Sequence, residues 1–349
     1  MAKVTMQDIA DAVGVSRITV WKVFNNQEGV SDSLRTQIIS KATELGYAKV
    51  IPDAAESKTG GSKTVSVIVS RPESSHFWMN IIHRIAKEMS KQKIDLLYTY
   101  VPSSCPTGYM LPASLTNGTI QGCIILNVYD MKLIRMINDL PIPKVFLDTV
   151  TAMPPEEIKG DLFLLEGVNT IRRLTNYIIK KGRKKIGFIG DICYARTNAD
   201  RFEGFRLGMQ DNHLDINPDF CFTDRLGIYT YEQDLRSFLR SMKAFPEVFI
   251  CVSDYVAHFV ELYLNEQGIS IPHDIAITGY DGSLEYTNVS DMLTTVNVET
   301  SLLGKRLSNQ LLFRIDFPCG RRIVESASVP HRQSVARKGS HIYHIRNRI

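Results

Sequence analysis

Apolar residues recur at helical spacing in three short segments at the start of the chain. Over most of the remainder, short apolar runs alternate with helical patterns. In the first segment Ile9, Ala10 and Val13 form one stripe, Thr5 and Asp8 make a capping box, and Gly14 ends the helix. Ser16 caps a second helix after a turn of only Gly14 and Val15. A third runs from a Ser31 cap through Leu34, Ile38, Ala42 and Leu45 to Gly46. Helix, tight glycine turn, helix is the helix-turn-helix arrangement.

From Val65 onward the runs VSVIV, IDLLYTYV, GCIIL, KVFLD, KIGFIG, EVFICV and DIAITG alternate with helical patterns at 77–90, 131–139, 163–181, 200–212, 254–267 and 301–314. Such alternation predicts parallel sheets with helices on both faces. The pattern restarts after the polar stretch 151–162, which predicts two α/β lobes. The segment AKVIPDAAESKTGGSKT is poor in large apolar groups and reads as a linker. The expected organisation is a three-helix helix-turn-helix domain over 1–47, a linker or hinge over 48–63 and a two-lobed domain over 64–349.

Composition narrows the class without naming a function. With 349 residues, 44% apolar and 22% charged, the chain falls among folded multi-domain proteins. No secretory apolar core opens it, and no window reaches the roughly 18 apolar residues of a membrane span, so a cytoplasmic location with no membrane partner is expected. Six cysteines lie far apart without a C-x-x-C pair, against a disulfide framework or zinc ribbon. The net charge of +4 is a local effect: residues 319–349 hold seven basic side chains against Glu325, whereas 1–60 hold seven of each sign. Charge therefore gives no argument for nucleic-acid binding, and the weight falls on individual residues.

At about 100° per residue, Val20, Val23 and Phe24 share one arc of the second helix, with Arg17, Ile18, Trp21, Lys22 and Asn25 opposite. Arg17 and Lys22 can donate to guanine, Ile18 suits a thymine methyl, and Trp21 fits packing against neighbours or the sugar backbone. Ser16, Asn25 and Ser31, with Thr5, suit phosphate oxygens that fix register. A protein-contact bundle is the alternative reading of the same three helices.

In parallel α/β sheets ligands bind beyond the carboxyl ends of strands. The residues there are Ser70, Arg71, Asn127, Asp148, Asp191, Ser253, Asp254, Tyr280 and Asp281. Carboxylates and amides suit a polyhydroxyl ligand, with Phe77, Trp78 and Tyr229 as candidates to cover its C–H faces. Asp254 is expected to cap the following helix.

The run VTMQDIADAVGVSRITVWKVFNN, followed by GVSDSLRTQIISKATELGY, resembles the N-terminal signature of the LacI family of transcriptional regulators. LTNGTIQGCIIL, VFLDTV, KKGRKKIGFIGD, RFEGFRLGM, VFICVSD, GISIPHDIAITGYDG and MLTTV resemble that family's effector domain, so the likeness spans nearly the whole chain. It implies a periplasmic-binding-protein-like effector-binding and dimerisation domain and a homodimer, with tetramers possible, on palindromic double-stranded operator DNA. Arg17, Ile18 and Lys22 would enter the major groove. The implied function is a repressor of a carbohydrate-utilisation operon, controlled by a sugar or sugar phosphate between the lobes, with neither catalysis nor a resident cofactor or metal. Arg201 in the R-x-x-G-F match, Asp281 in G-Y-D, Asp148, Tyr229 and Ser253 stand where relatives place effector contacts; Ser253 replaces the asparagine of many sugar sensors. One departure concerns the hinge: Lys49 to Thr59 contains no leucine to wedge into the minor groove, leaving Val50 or Ile51 as substitutes or a weaker bend. GSKT at 61–64 lacks the first glycine and the strand of a phosphate loop, and His341 with His344 is too small a set for a metal site.

Overall fold

The computed structural model describes residues 4–24, 29–45, 47, 63–70, 76–227, 229–283, 285–290, 293–317 and 324–327. The chain divides into two compact units, Met1–Ser62 and Lys63–Ile349. In the first, α1 (Met6–Val13), α2 (Arg17–Phe24) and α3 (Asp32–Glu44) enclose a small core of Ile9, Ala10, Val20, Val23, Ile38 and Ala42. Gly14 ends α1 at φ 75°, a left-handed position that a residue with a Cβ adopts only at a cost, and its N–H donates to the Ala10 carbonyl. That tight reversal lets α2 start three residues later, at Arg17. Residues 48–62, with the proposed wedges Val50 and Ile51, lie outside the described residues.

The second unit runs β1 (Thr64–Val69), α4 (His76–Lys91), β2 (Asp95–Tyr100), α5 (Ala113–Thr116), β3 (Cys123–Leu126), α6 (Met131–Asn138), β4 (Lys144–Leu147) and β5 (Asp161–Leu165). It continues through α7 (Val168–Lys180), β6 (Ile186–Ile189), α8 (Arg196–Asp211), β7 (Cys221–Phe222), α9 (Tyr231–Ser241), β8 (Val248–Cys251) and α10 (Asp254–Glu266). It closes with β9 (Ala276–Asp281), α11 (Thr287–Ser290), β10 (Thr294–Asn297), α12 (Thr300–Asp316) and β11 (Val324–Ala327). The strands form two all-parallel sheets, ordered β11-β5-β4-β3-β1-β2 in the first lobe and β10-β9-β8-β6-β7 in the second.

The lobe boundary differs from the one read from the polar stretch. Residues 161–165, expected to begin a helix at 163, are a strand of the first sheet, and the helix starts only at Val168. The first lobe therefore extends to Leu165, and the chain returns to it at the end, with α12 packed on α4 and β11 paired with β5. After Asp161, LFLL is a short apolar run buried except at Leu164, which periodicity alone does not separate from a helix segment. The returning helix is fastened at Asp161, whose buried carboxylate accepts from Arg314 Nε at 2.6 Å, Arg314 Nη2 at 2.7 Å and Gln310 Nε2 at 2.6 Å. The five described cysteines are free thiols, and no helix among the described residues is long and apolar enough to cross a membrane.

Asp161→Asn leaves the Arg314 guanidinium buried without its counter-charge, a loss of about 3–5 kcal/mol for pairs of this kind. Chemical denaturation is expected to show that loss in the second unit, with Asp161→Asn/Arg314→Leu recovering part of it.

Candidate functional site: DNA-reading helix and ligand cleft

On α2 the core takes Val20 and Val23, while Arg17 is exposed, Lys22 is half-buried, and Ile18 and Trp21 are 68% and 48% exposed. Of the two arcs expected from the sequence, Val20 and Val23 form a buried face and Arg17, Ile18 and Trp21 a solvent face, with Phe24 and Lys22 half-buried between them. The candidate phosphate contacts sit at helix starts. Thr5 N–H donates to Asp8 Oδ2 at 2.7 Å while Thr5 Oγ1 accepts from Asp8 N–H at 3.4 Å, Ser16 Oγ accepts from Thr19 N–H at 3.1 Å, and Ser31 Oγ accepts from Leu34 N–H at 3.4 Å. Their side chains are exposed as well as capping. Asn25 lies outside the described residues.

All eight effector candidates, Phe77, Trp78, Asn127, Asp148, Arg201, Tyr229, Ser253 and Asp281, line one cavity of about 360 Å³. It lies between the lobes, beyond the ends of β3, β4, β6, β8 and β9. Three of these residues are in left-handed backbone, Asn127 at φ 53°, Asp148 at 66° and Asp281 at 110°. Asn and Asp bear that conformation better than most residues, and such strain collects where side-chain direction is functional. Arg71 lies outside the described residues.

The polar groups differ in what they have left to offer. Asp148 Oδ2 accepts from Thr197 Oγ1–H at 2.6 Å and Tyr129 O–H at 3.1 Å, and Oδ1 accepts from Thr149 N–H at 2.8 Å and Thr197 N–H at 3.3 Å. A carboxylate has about four acceptor positions, so Asp148 forms the cavity floor rather than presenting a free oxygen. Asp191 is similarly engaged, accepting the N–H groups of Cys193, Tyr194 and Leu226 at 2.8, 3.0 and 3.1 Å. The cap of α10 is Ser253, whose Oγ accepts from Val256 N–H at 3.3 Å. Asp254, expected to cap it, is instead fully buried and accepts from Ser283 N–H and Thr295 Oγ1–H, both at 2.6 Å. Tyr229 is 92% exposed at the rim.

Arg201 and Asp281 are the pair with capacity remaining. Arg201 Nη1 donates to the Val252 carbonyl at 2.5 Å, the guanidinium lies 3.6 Å from the centroid of the Tyr280 ring, and Nε has no hydrogen-bond partner. Nη2 stands 3.8 Å from Asp281 Oδ1. Burial pushes the Asp281 carboxyl up to about 6, with Arg201 opposing the shift. Burial, reinforced by the charge of Asp281, pushes Asp254 up to about 8 against the hydrogen bonds from Thr295 and Ser283. Tyr280 is buried beneath Arg201 and donates to the Glu166 carbonyl at 2.6 Å, which makes it a support rather than a ligand contact.

The sequence reading missed much of the aromatic wall: Tyr129 beside Tyr194, with centroids 4.4 Å apart, and Tyr255 between Tyr231 at 5.2 Å and Tyr286 at 5.8 Å. Tyr129, Tyr194 and Tyr255 lie within three residues past Asn127, Asp191 and Ser253, so a slightly wider window at the strand ends finds them. No group of three or more His, Cys, Asp or Glu among the described residues is arranged to hold a metal.

A recognition helix with an outward Arg, Ile, Trp and Lys, carried with a two-lobed ligand cleft, defines a ligand-responsive DNA-binding regulator. Residues 5–49 match bacterial regulatory proteins of the lacI family, and residues 175–337 match the periplasmic binding protein-like domain. The HTH-type transcriptional repressor PurR of Histophilus somni is 26% identical over 317 residues, covering 89% of this chain and 92% of that protein. Among solved structures, the transcriptional regulator CelR–cellobiose complex matches with a TM-score of 0.65 and 19% identity, covering 93% of this chain and 97% of that one. The lac repressor dimer bound to operator and the anti-inducer ONPF matches with a TM-score of 0.60 and 19% identity over 93% and 96%. The chain belongs to the LacI family of DNA-binding transcriptional regulators, which are not enzymes.

Two outcomes follow from this geometry. Arg17→Ala, tested by anisotropy at fixed salt on a duplex selected from random DNA, is expected to cost about 1–3 kcal/mol and to relax preference at one base pair. Because Asp254 and Asp281 hold protons in the fold that the unfolded chain releases near pH 4, stability falls as pH rises from about 4 towards 8. Asp254→Asn is expected to flatten that decline in melting temperature.

Proposed function

We propose that this protein represses transcription as a homodimer on a two-fold symmetric operator, under the control of an uncharged, unphosphorylated carbohydrate held at Arg201 and Asp281. The observation that carries the reading is the unequal saturation of the cleft. Asp148 and Asp191 are taken up by hydrogen bonds within the protein, whereas Arg201 Nε is unpartnered and Asp281 stands 3.8 Å from the guanidinium. Neighbouring hydroxyls on a sugar can accept from Arg201 and donate to Asp281 at once, and tyrosine rings suit the C–H faces of such a molecule. Arg201 is the one cation among the described lining residues, against the carboxylates of Asp148, Asp191 and Asp281. That balance disfavours a phosphate, and it narrows the sugar-or-sugar-phosphate expectation to the neutral form. The neighbouring fold of CelR holds cellobiose, which supports the class of ligand.

Eight aromatic side chains on the wall favour a second reading, a planar heteroaromatic base stacked between them. In either case the ligand would shift DNA affinity only by its differential affinity for the lobe arrangements it finds.

Titration calorimetry with glucose, ribose, cellobiose, glucose 6-phosphate and hypoxanthine separates these readings. Binding of one neutral sugar is expected, abolished by Arg201→Ala and strengthening from pH 5 to 7 as Asp281 ionises near 6. Preference for the phosphorylated sugar contradicts the proposal, and binding of hypoxanthine alone selects the second reading.

A further inference from the structure

Each lobe ends a helix of the other with a carboxylate. Asp148 of the first lobe accepts the Thr197 N–H and hydroxyl at the start of α8, whose own N-cap, Ala195, brings no side-chain hydrogen bond. In the reverse direction, Glu285 of the second lobe accepts the His76 N–H at 2.8 Å, at the first residue of α4. Sixteen residues of helix place partial positive charge at that N–H, so the bond is charge-assisted. Glu285 is itself held to its lobe, because Asp254 accepts the Ser283 N–H at 2.6 Å and Ser283 Oγ accepts the Glu285 N–H at 3.3 Å.

The neighbours of this contact give it a role beyond capping. His76 precedes Phe77 and Trp78, and Glu285 precedes Tyr286; all three aromatic residues line the cavity, two from the first lobe's side of the bond and one from the second's. We infer that Glu285 is a positioning residue for effector binding: by grasping the start of α4 it holds Phe77 and Trp78 against the Tyr286 side of the cleft, and ligand release requires that grasp to open. The role in ligand release rests on the proposed effector reading, whereas the grasp itself does not depend on what the ligand is.

The test uses the full chain and two readouts. Trp78 is one of two tryptophans, and a Trp78→Phe control subtracts the signal of Trp21. Without ligand, Glu285→Ala is expected to raise acrylamide quenching of Trp78 about twofold, and Glu285→Gln, which keeps the acceptor oxygen, is expected to stay near wild type. With whichever of glucose, ribose and cellobiose binds, stopped-flow dissociation is expected to quicken about tenfold in Glu285→Ala with association unchanged, the scale of one charge-assisted hydrogen bond. Quenching equal to wild type in Glu285→Ala overturns the inference. Altered quenching with unaltered dissociation also overturns it, leaving Glu285 a plain helix cap. If none of the sugars binds, the carbohydrate reading fails and the quenching arm alone decides the grasp.

Discussion

The cleft is organised around a buried guanidinium. Arg201 on α8 is held by the Val252 carbonyl past the end of β8 and by the ring of Tyr280 in β9, with Asp281 across from Nη2. The crossover from the first lobe passes against it at Gly167, where a Cβ would meet Arg201 Cγ at 3.0 Å. A buried charge is tolerated only when its surroundings supply hydrogen bonds and opposite charge, and here those come from Val252 beyond β8 and from Tyr280 and Asp281 of β9. Asp281 stands opposite Arg201 in left-handed backbone at φ 110°, and its carboxyl is raised by burial while the guanidinium opposes that shift. Part of the cation's hydrogen-bonding capacity is left open, and the proposed ligand would take it up.

The sequence carried the outline of this arrangement because strand ends are readable. Apolar runs end where loops begin, and Asn127, Asp148, Ser253 and Asp281 all stand at such ends and all reach one cavity. The same logic found the buried and exposed arcs of α2, since one turn of helix fixes which side chains share a face. What the sequence withheld was saturation. Nothing in VFLD shows that Asp148 is consumed by Thr197, Tyr129 and its own neighbour, or that Ser253 rather than Asp254 caps α10, because those partners are distant in the chain or set by backbone direction. The strand at 161–165 was hidden for a related reason: a strand buried on both faces loses the alternation that marks a half-buried one. Its place in the first sheet depends on β11 and on Arg314 near the far end of the unit.

The two units rest on different amounts of burial. The helix-turn-helix unit holds its solvent face in place with a six-residue core and three capped helix starts. The two-lobed unit joins its halves through polar links of differing burial, a buried one from Thr197 to Asp148, a half-buried one from Thr151 Oγ1 to the Ile192 carbonyl at 2.9 Å, and an exposed one from His76 to Glu285. Such links have discrete made and broken states, which is the physical requirement for a ligand to select between lobe arrangements. In the proposed function, occupancy of the cleft at Arg201 and Asp281 changes how strongly the protein holds its operator.

Operator affinity measured against ligand concentration, on a two-fold symmetric duplex and at fixed salt, reads this coupling. The expected result is a salt-dependent affinity that moves about tenfold or more to a plateau as the cleft fills, and no movement in Arg201→Ala. An operator affinity that stays constant while calorimetry shows the wild-type cleft saturated would contradict it.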